Sequence, residues 1–168
     1  FSAKGEVSFS SAQIGGQLSC IGGSFENEKE KEKALNAQGA EVKGDVFLSD
    51  DFSAKGEVSL AGAQIGGQLA CDDSTFENGD GSALNAQDTQ IAAFYWRDLK
   101  AVSGEINLAG ARTGGIADDA ASWQMADRLY LDGFEYSSIH GPLDAPMRLE
   151  WLAKACAYDG SFSPQPYE

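Results

Sequence analysis

Through most of the chain, small or apolar residues come in pairs two positions apart, and the pairs recur every five or six residues. Val7/Phe9, Ala12/Ile14 and Leu18/Cys20 lead to Phe25 in a first coil. A second runs Leu35/Ala37, Ala40/Val42, Val46/Leu48 and Phe52, and a third Val58/Leu60, Ala63/Ile65, Leu69/Cys71 and Phe76. Leu84/Ala86, Thr89/Ile91, Phe94/Trp96 and Leu99 make a fourth, and Ile106/Leu108 with Ala111/Thr113 a degenerate fifth. Residues two apart share one face of an extended strand. Each pair therefore predicts a strand of two or three residues, and the Gly or polar residues that follow predict a corner. Four such faces close a coil in about 22–28 residues, whereas helical spacing is not sustained before residue 120. The pattern predicts an all-β solenoid: a right-handed parallel β-helix of quadrilateral section, about five coils long. Its inward side chains, Ile14, Val42, Ile65 and Ile91 among them, should lie over one another along the axis.

A longer repeat supports this division. Residues 1–27 and 52–78 share 19 of 27 positions at an offset of 51, the mark of a stacked architecture. The offset falls to 49 at the shared ALNAQ of residues 34–38 and 83–87. The corner between, NEKEKEK (27–33) against NGDGS (78–82), thus reads as a solvated surface loop. Gly15-Gly16, Gly66-Gly67 and Gly114-Gly115 fall at one corner of coils one, three and five. They predict positive φ or a close backbone approach; the strand–loop–helix context of a phosphate cradle is missing. In coil four the alternation allows two arrangements. Either Phe94 and Trp96 point inward with Tyr95 and Arg97 outward, or Trp96, bulky for a slot that elsewhere holds Leu, caps the core or lies on the surface.

The repeat region is expected over 1–122, with Asp118-Asp119 ending the regular stack. Residues 123–143 hold a last rung at Leu129/Leu131 and a turn, and 144–159 a capping helix. Asp144 or Ala145 is its N-cap, Pro146 lies in its first turn and Gly160 is its stop. Met147, Leu149, Trp151, Leu152, Ala155 and Cys156 form its apolar stripe, suited to plugging the open end of the solenoid. Residues 160–168 read as a truncated tail. Phe1 opens inside a repeat, so the chain reads as a piece of something longer.

Charge and chemistry narrow the function by exclusion. With 26 acidic and 12 basic residues the net charge is −14, which disfavours direct binding to nucleic-acid phosphates or anionic membranes. No apolar run is long enough to span a bilayer. Cys20 and Cys71 are equivalent positions two rungs apart, too far for a disulfide. We expect both reduced, buried and inert, as in a reducing compartment. One histidine, His140, and three dispersed cysteines cannot build a zinc site. The pairs Asp50-Asp51, Asp72-Asp73 and Asp118-Asp119 lack calcium-loop spacing and read as solvated corners. No motif ties His140 to a nucleophile. Catalytic, cofactor-binding and metal-ligating residues are accordingly expected to be none, and cofactors none.

The five-residue rhythm, with AQIGG at 12–16 and 63–67 and AEVKG at 40–44, resembles the pentapeptide-repeat proteins, whose fold is a right-handed quadrilateral β-helix. GEVSLAGAQIGGQLAC, ALNAQGAEVKGDVFL, LYLDGFEY, MRLEWL and FSPQPYE together resemble a group of large bacterial repeat proteins that carry the label membrane-associated oxidoreductase. That resemblance covers nearly the whole chain. It implies a bacterial protein, in the cytoplasm or on the cytoplasmic side of a membrane, attached through segments outside these residues. The redox label finds no support in the residues, which hold no nucleotide fingerprint, no CxxC and no haem or iron–sulfur ligand set. The expected function is a non-catalytic structural or protein-interaction module of a larger protein, with an unidentified protein partner and scope for end-to-end or face-to-face self-association. The alternatives are an acidic DNA mimic that inhibits a DNA-binding enzyme such as a topoisomerase, and a carbohydrate-active or redox enzyme fragment.

Overall fold

The computed structural model describes residues 1–27, 32–141 and 143–156. They form a parallel β-solenoid of about six turns. Four ladders run its length, and all their strand pairings are parallel. One stacks Ala3, Phe25, Ala54, Phe76 and Val102. The next stacks Val7, Leu35, Val58, Leu84, Ile106, Leu129 and Ala155. A third carries Ile14, Val42, Ile65, Ile91, Thr113 and Tyr136. The fourth carries Leu18, Val46, Leu69, Phe94 and Ile116, with a bridge on to Ile139. Successive rungs of the second ladder lie 28, 23, 26, 22, 23 and 26 residues apart, inside the window set by the apolar pairs. Ile14, Val42, Ile65 and Ile91 do lie over one another. The rung expected at Leu129 is present and closes a sixth turn.

The interior is apolar because alternate residues face it. Leu35, Val46, Val58, Leu69, Leu84 and Ile106 are wholly buried. An aromatic column starts at the exposed Phe1 and runs through the core as Phe25, Phe52, Phe76, Trp96, Trp123 and Trp151, with neighbouring ring centroids 5.3–5.6 Å apart. Tilted rings at this spacing add attraction beyond the area they bury. Trp96 takes over the column from Phe76 and is fully buried beside Phe94, while Tyr95 is half-buried and Arg97 exposed.

Two corners are built the same way in turn after turn. Ala12, Ala40, Ala63, Thr89, Ala111 and Phe134 each donate a backbone N–H three residues back, to Phe9, Ala37, Leu60, Ala86, Leu108 and Leu131. The third residue of each turn, Ser11, Gly39, Gly62, Asp88, Gly110 or Gly133, has φ between 54° and 69°, as a type II turn requires. Asn36, Asn85 and Asn107 brace this corner, each accepting from a backbone N–H two residues on. The opposite corner places Gly22, Asp51, Asp73 and Asp98 at positive φ. The Gly-Gly pairs behave differently, since none of them has positive φ. In the two later pairs the reason is close approach: a Cβ on Gly66 would lie 2.5 Å from the Lys43 carbonyl oxygen, and one on Gly114 2.6 Å from that of Ala92, whereas one on Gly15 or Gly16 meets nothing within 4 Å.

The C-terminal end departs most from the sequence pattern. Regular strands run to Asp118, and a short helix follows, α1 (Ala120–Met125), with Asp119 as N-cap accepting from Ser122 N. The helix expected over 144–159 is α2 (Ala145–Lys154), N-capped by Asp144. It stops short because Ala155–Cys156 turns extended and pairs with the free edge at Leu129 and Tyr130. Of the expected apolar stripe, Trp151 is buried on Trp123 and Met147 half-buried, but Leu149 and Leu152 are exposed. Most of the 27–33 loop, the Gly160 stop and the tail over 160–168 lie outside the described residues.

Candidate functional site

The most developed concavity runs along the outside of one corner. Gln13, Glu41, Gln64, Gln90, Arg112 and Glu135 are consecutive rungs of an outward-facing column. Beside it, Gly66, Ala92, Gly114 and Ser137 make a floor of small residues. Together with Tyr136 they line a groove of about 710 Å³ over turns three to six. A second hollow of about 430 Å³, lined by Gln13, Gly15, Glu41 and Lys43, continues the line at the other end. Five rung steps at about 4.8 Å make the whole track about 24 Å long. The floor is small for a structural reason, since Gly66 and Gly114 touch the turn below. The groove is the consequence of that packing.

Its chemistry is mixed and nearly neutral. Arg112 and Glu135 pair across adjacent rungs at 3.2 Å, both well exposed. Tyr136 is 40 % exposed at the far end. Glu41 and Lys43 offset one another in the second hollow. The amides of Gln64 and Gln90 project from the ridge and can each donate and accept. Among the described residues lining the groove, Glu135 is the one carboxylate, whereas glycoside cleavage uses a facing pair.

Two other outward columns carry charges of alternating sign. Lys4, Glu26, Lys55 and Glu77 occupy successive rungs of one column. Lys33 lies beside Glu57, and Glu105 beside Arg128. Opposite charges on neighbouring strands stabilise and like charges would repel.

The acidic pairs do structural work. Asp72 accepts from Arg97 at 2.7 Å, and Lys100 bridges Asp51 and Asp73. Asp118 corrects the solvated-corner expectation most fully. Its side chain is wholly buried, receives the Trp123 indole N–H at 2.7 Å, and takes both terminal nitrogens of Arg148 on α2. Asp119 caps α1 and accepts from Asp98 N at 2.6 Å. Among the described residues no group of three or more His, Cys, Asp and Glu side chains could hold a metal ion.

One pairing escaped the sequence. Ser138 Oγ lies 3.1 Å from His140 Nε2, since the two are alternate residues of one extended segment. Ser138 Oγ also donates to the Gly114 carbonyl at 3.1 Å, so its proton has another acceptor. A nucleophile needs its base oriented by a third group, and no hydrogen bond to His140 Nδ1 is seen among the described residues. The pair is a surface hydrogen bond. Cys20 and Cys71 are free and buried. Burial pushes the Cys20 thiol up to about 11, and burial together with Asp72 pushes Cys71 well above the ordinary thiol range, which holds both as unreactive thiols.

Comparison with protein-family models, with curated proteins and with solved structures gives no match. The class of protein therefore rests on the geometry alone: a parallel β-solenoid with an aromatic core column and two short helices at its C-terminal end. Among the described residues no helix is long and apolar enough to cross a membrane.

Proposed function

We propose that this chain is a non-catalytic structural and protein-interaction module, and that its corner groove is the face a protein partner occupies. The observation that carries this reading is the single outward column from Gln13 to Glu135 standing beside a floor of Gly, Ala and Ser. The floor lets a partner backbone approach closely, while the Gln64 and Gln90 amides offer paired donors and acceptors to an extended chain. Rigid turns keep these groups at fixed spacing, so little ordering entropy is lost on binding.

The net charge of −14 favours a second reading, mimicry of DNA. Against it stand the alternating Lys and Glu columns and the acidic corner neutralised by Arg97 and Lys100, because mimicry needs regularly spaced charge of one sign. A rod of six turns is also only about 29 Å long.

The experiment fills the groove. Ala92→Trp adds bulk at an exposed floor position, and Lys55→Ala serves as control on another face. Binding measured against a partner recovered with the wild-type protein should be lost in Ala92→Trp and kept in Lys55→Ala. Equal binding by both variants would contradict the assignment to the groove. Inhibition of DNA supercoiling by the wild-type protein would replace this reading with mimicry.

A further inference from the structure

The spacing, backbone and charge of the corner groove narrow the class of its partner, an inference that rests on the groove being a partner face. Its outward column acts as a ruler. Gln64, Gln90 and Arg112 stand on successive rungs, about 4.8 Å apart, and all three are exposed. A ligand lying along the groove must bring equivalent groups to this spacing or to a multiple of it. One turn of polyproline II advances about 9.3 Å in three residues, and two rungs advance about 9.6 Å. Gln64 and Arg112, two rungs apart, therefore meet equivalent points of such a chain, with Gln90 between them. Glu41 and Gln90 are related in the same way. A β-strand repeats one face about every 6.7 Å, which matches neither one rung nor two. An α-helix is too wide. About 710 Å³ over the three steps from Gln64 to Glu135 leaves a section of about 50 Å², less than a helix about 10 Å across fills.

Backbone pairing points the same way. The N–H groups of Gln64, Gln90, Arg112 and Glu135 already donate to Ala40, Ala63, Thr89 and Ala111 at 2.8–2.9 Å. The groove thus offers no sheet edge, and a strand laid in it would leave its own N–H groups unmatched. What the column offers is side-chain donors, the Gln64 and Gln90 carboxamides and the Arg112 guanidinium. Proline has no N–H to satisfy, and a polyproline II chain keeps its carbonyls free of internal bonds. Charge agrees. On a protein of net charge −14 this track is balanced, with Glu41 beside Lys43 at one end and Arg112 paired with Glu135 at the other. The lining between, from Gln64 to Ala92, is uncharged, and an uncharged segment is its complement.

We propose that the groove binds a proline-rich segment of a protein partner in the polyproline II conformation, lying along the solenoid axis. The track of about 24 Å takes about eight residues at 3.1 Å each. Gln64 and Gln90 donate to its carbonyls, and Arg112 donates to the carbonyl one turn on from that met by Gln64. Arg112 bonds Glu135 through Nε at 3.2 Å, and its terminal nitrogens carry further donors. The floor of Gly66, Ala92 and Gly114 leaves room for the proline rings.

The probe is an octaproline peptide with both ends blocked, and the readout is the backbone and side-chain amide resonances of the full chain. Octaproline at about 1 mM should shift the side-chain amides of Gln64 and Gln90, and a blocked Gly-Ser peptide of equal length should not. Gln64→Ala combined with Gln90→Ala should weaken binding about tenfold, read from the backbone amides of Ile65 and Ile91, while Lys55→Ala leaves it unchanged. No shift with octaproline, equal shifts with the Gly-Ser peptide, or unaltered binding by the double variant overturns the proposal. Shifts with a cello-oligosaccharide but not with octaproline overturn it too, and assign the groove to a glucan. The two readings of the groove separate cleanly. A recovered partner lost in Ala92→Trp, with no octaproline binding, keeps the partner face and strikes only its proline-rich occupant.

Discussion

Two glycines in identical local sequence have opposite duties. Gly15 and Gly66 both lie in AQIGGQL, but a Cβ at Gly15 meets nothing within 4 Å, while one at Gly66 lies 2.5 Å from the Lys43 carbonyl oxygen. Neither needs positive φ. Gly66→Ala should therefore cost about 1–3 kcal/mol through forced overpacking, and Gly15→Ala should leave the urea midpoint nearly unchanged. The difference comes only from the turn below, which no reading of local sequence could reveal. The buried ionisable groups were half legible in the same way. The rhythm placed Cys20 and Cys71 inside. With the Cys20 thiol held protonated up to about 11, while an unfolded thiol ionises near 8.5, the sign follows. Its contribution to stability is intact below pH 8.5 and declines as the pH rises toward 11. Unfolding curves between pH 8 and 10.5 should show this decline, and Cys20→Ala should reduce it. Asp118 looked like an acidic corner because nothing nearby in sequence announced Arg148, thirty residues on.

At the scale of elements, the strands and the core of α2 were legible and α1 was not. Pairs such as Val58/Leu60 can only be strands when the corners close every five or six residues. α1 escaped because its six residues are too few to show a helical period; Asp119 followed by Ser122 was the one signal. α2 was visible from Pro146 and its apolar spacing, yet its end was misplaced, since the pull of the Leu129–Tyr130 edge is a tertiary effect. How α2 is held gives a test. Trp96 and Trp123 are adjacent in the aromatic column, but among the described residues Trp96 Nε1 has no hydrogen-bond partner, whereas Trp123 Nε1 donates to Asp118. Trp96→Phe should stay within about 1 kcal/mol of wild type, because loss of packing is offset by removal of an unpaired buried N–H. Trp123→Phe should cost more. Asp118→Ala should cost about 3 kcal/mol, since it removes the buried acceptor shared by the Trp123 indole and the Arg148 guanidinium. Amide exchange across α2 would show whether the helix is released before the strands.

For the whole molecule, stability is a sum of turn-to-turn interfaces, as in other stacked repeats. The described ends differ, one carrying α1 and α2 and the other presenting Phe1 and Ile21 to solvent. The turns around Leu69 and Leu84, paired on both sides, should exchange their amides slowest. Everything said of the groove depends on the register between turns, and disulfide trapping reads that register most directly. With native cysteines replaced, Gln64→Cys combined with Gln90→Cys places thiols on directly stacked positions, within the span a disulfide bridges. This pair should crosslink readily under mild oxidation with the fold retained. Gln64→Cys combined with Phe47→Cys, which sits on the next face, should not. Crosslinking of the second pair but not the first would contradict the solenoid.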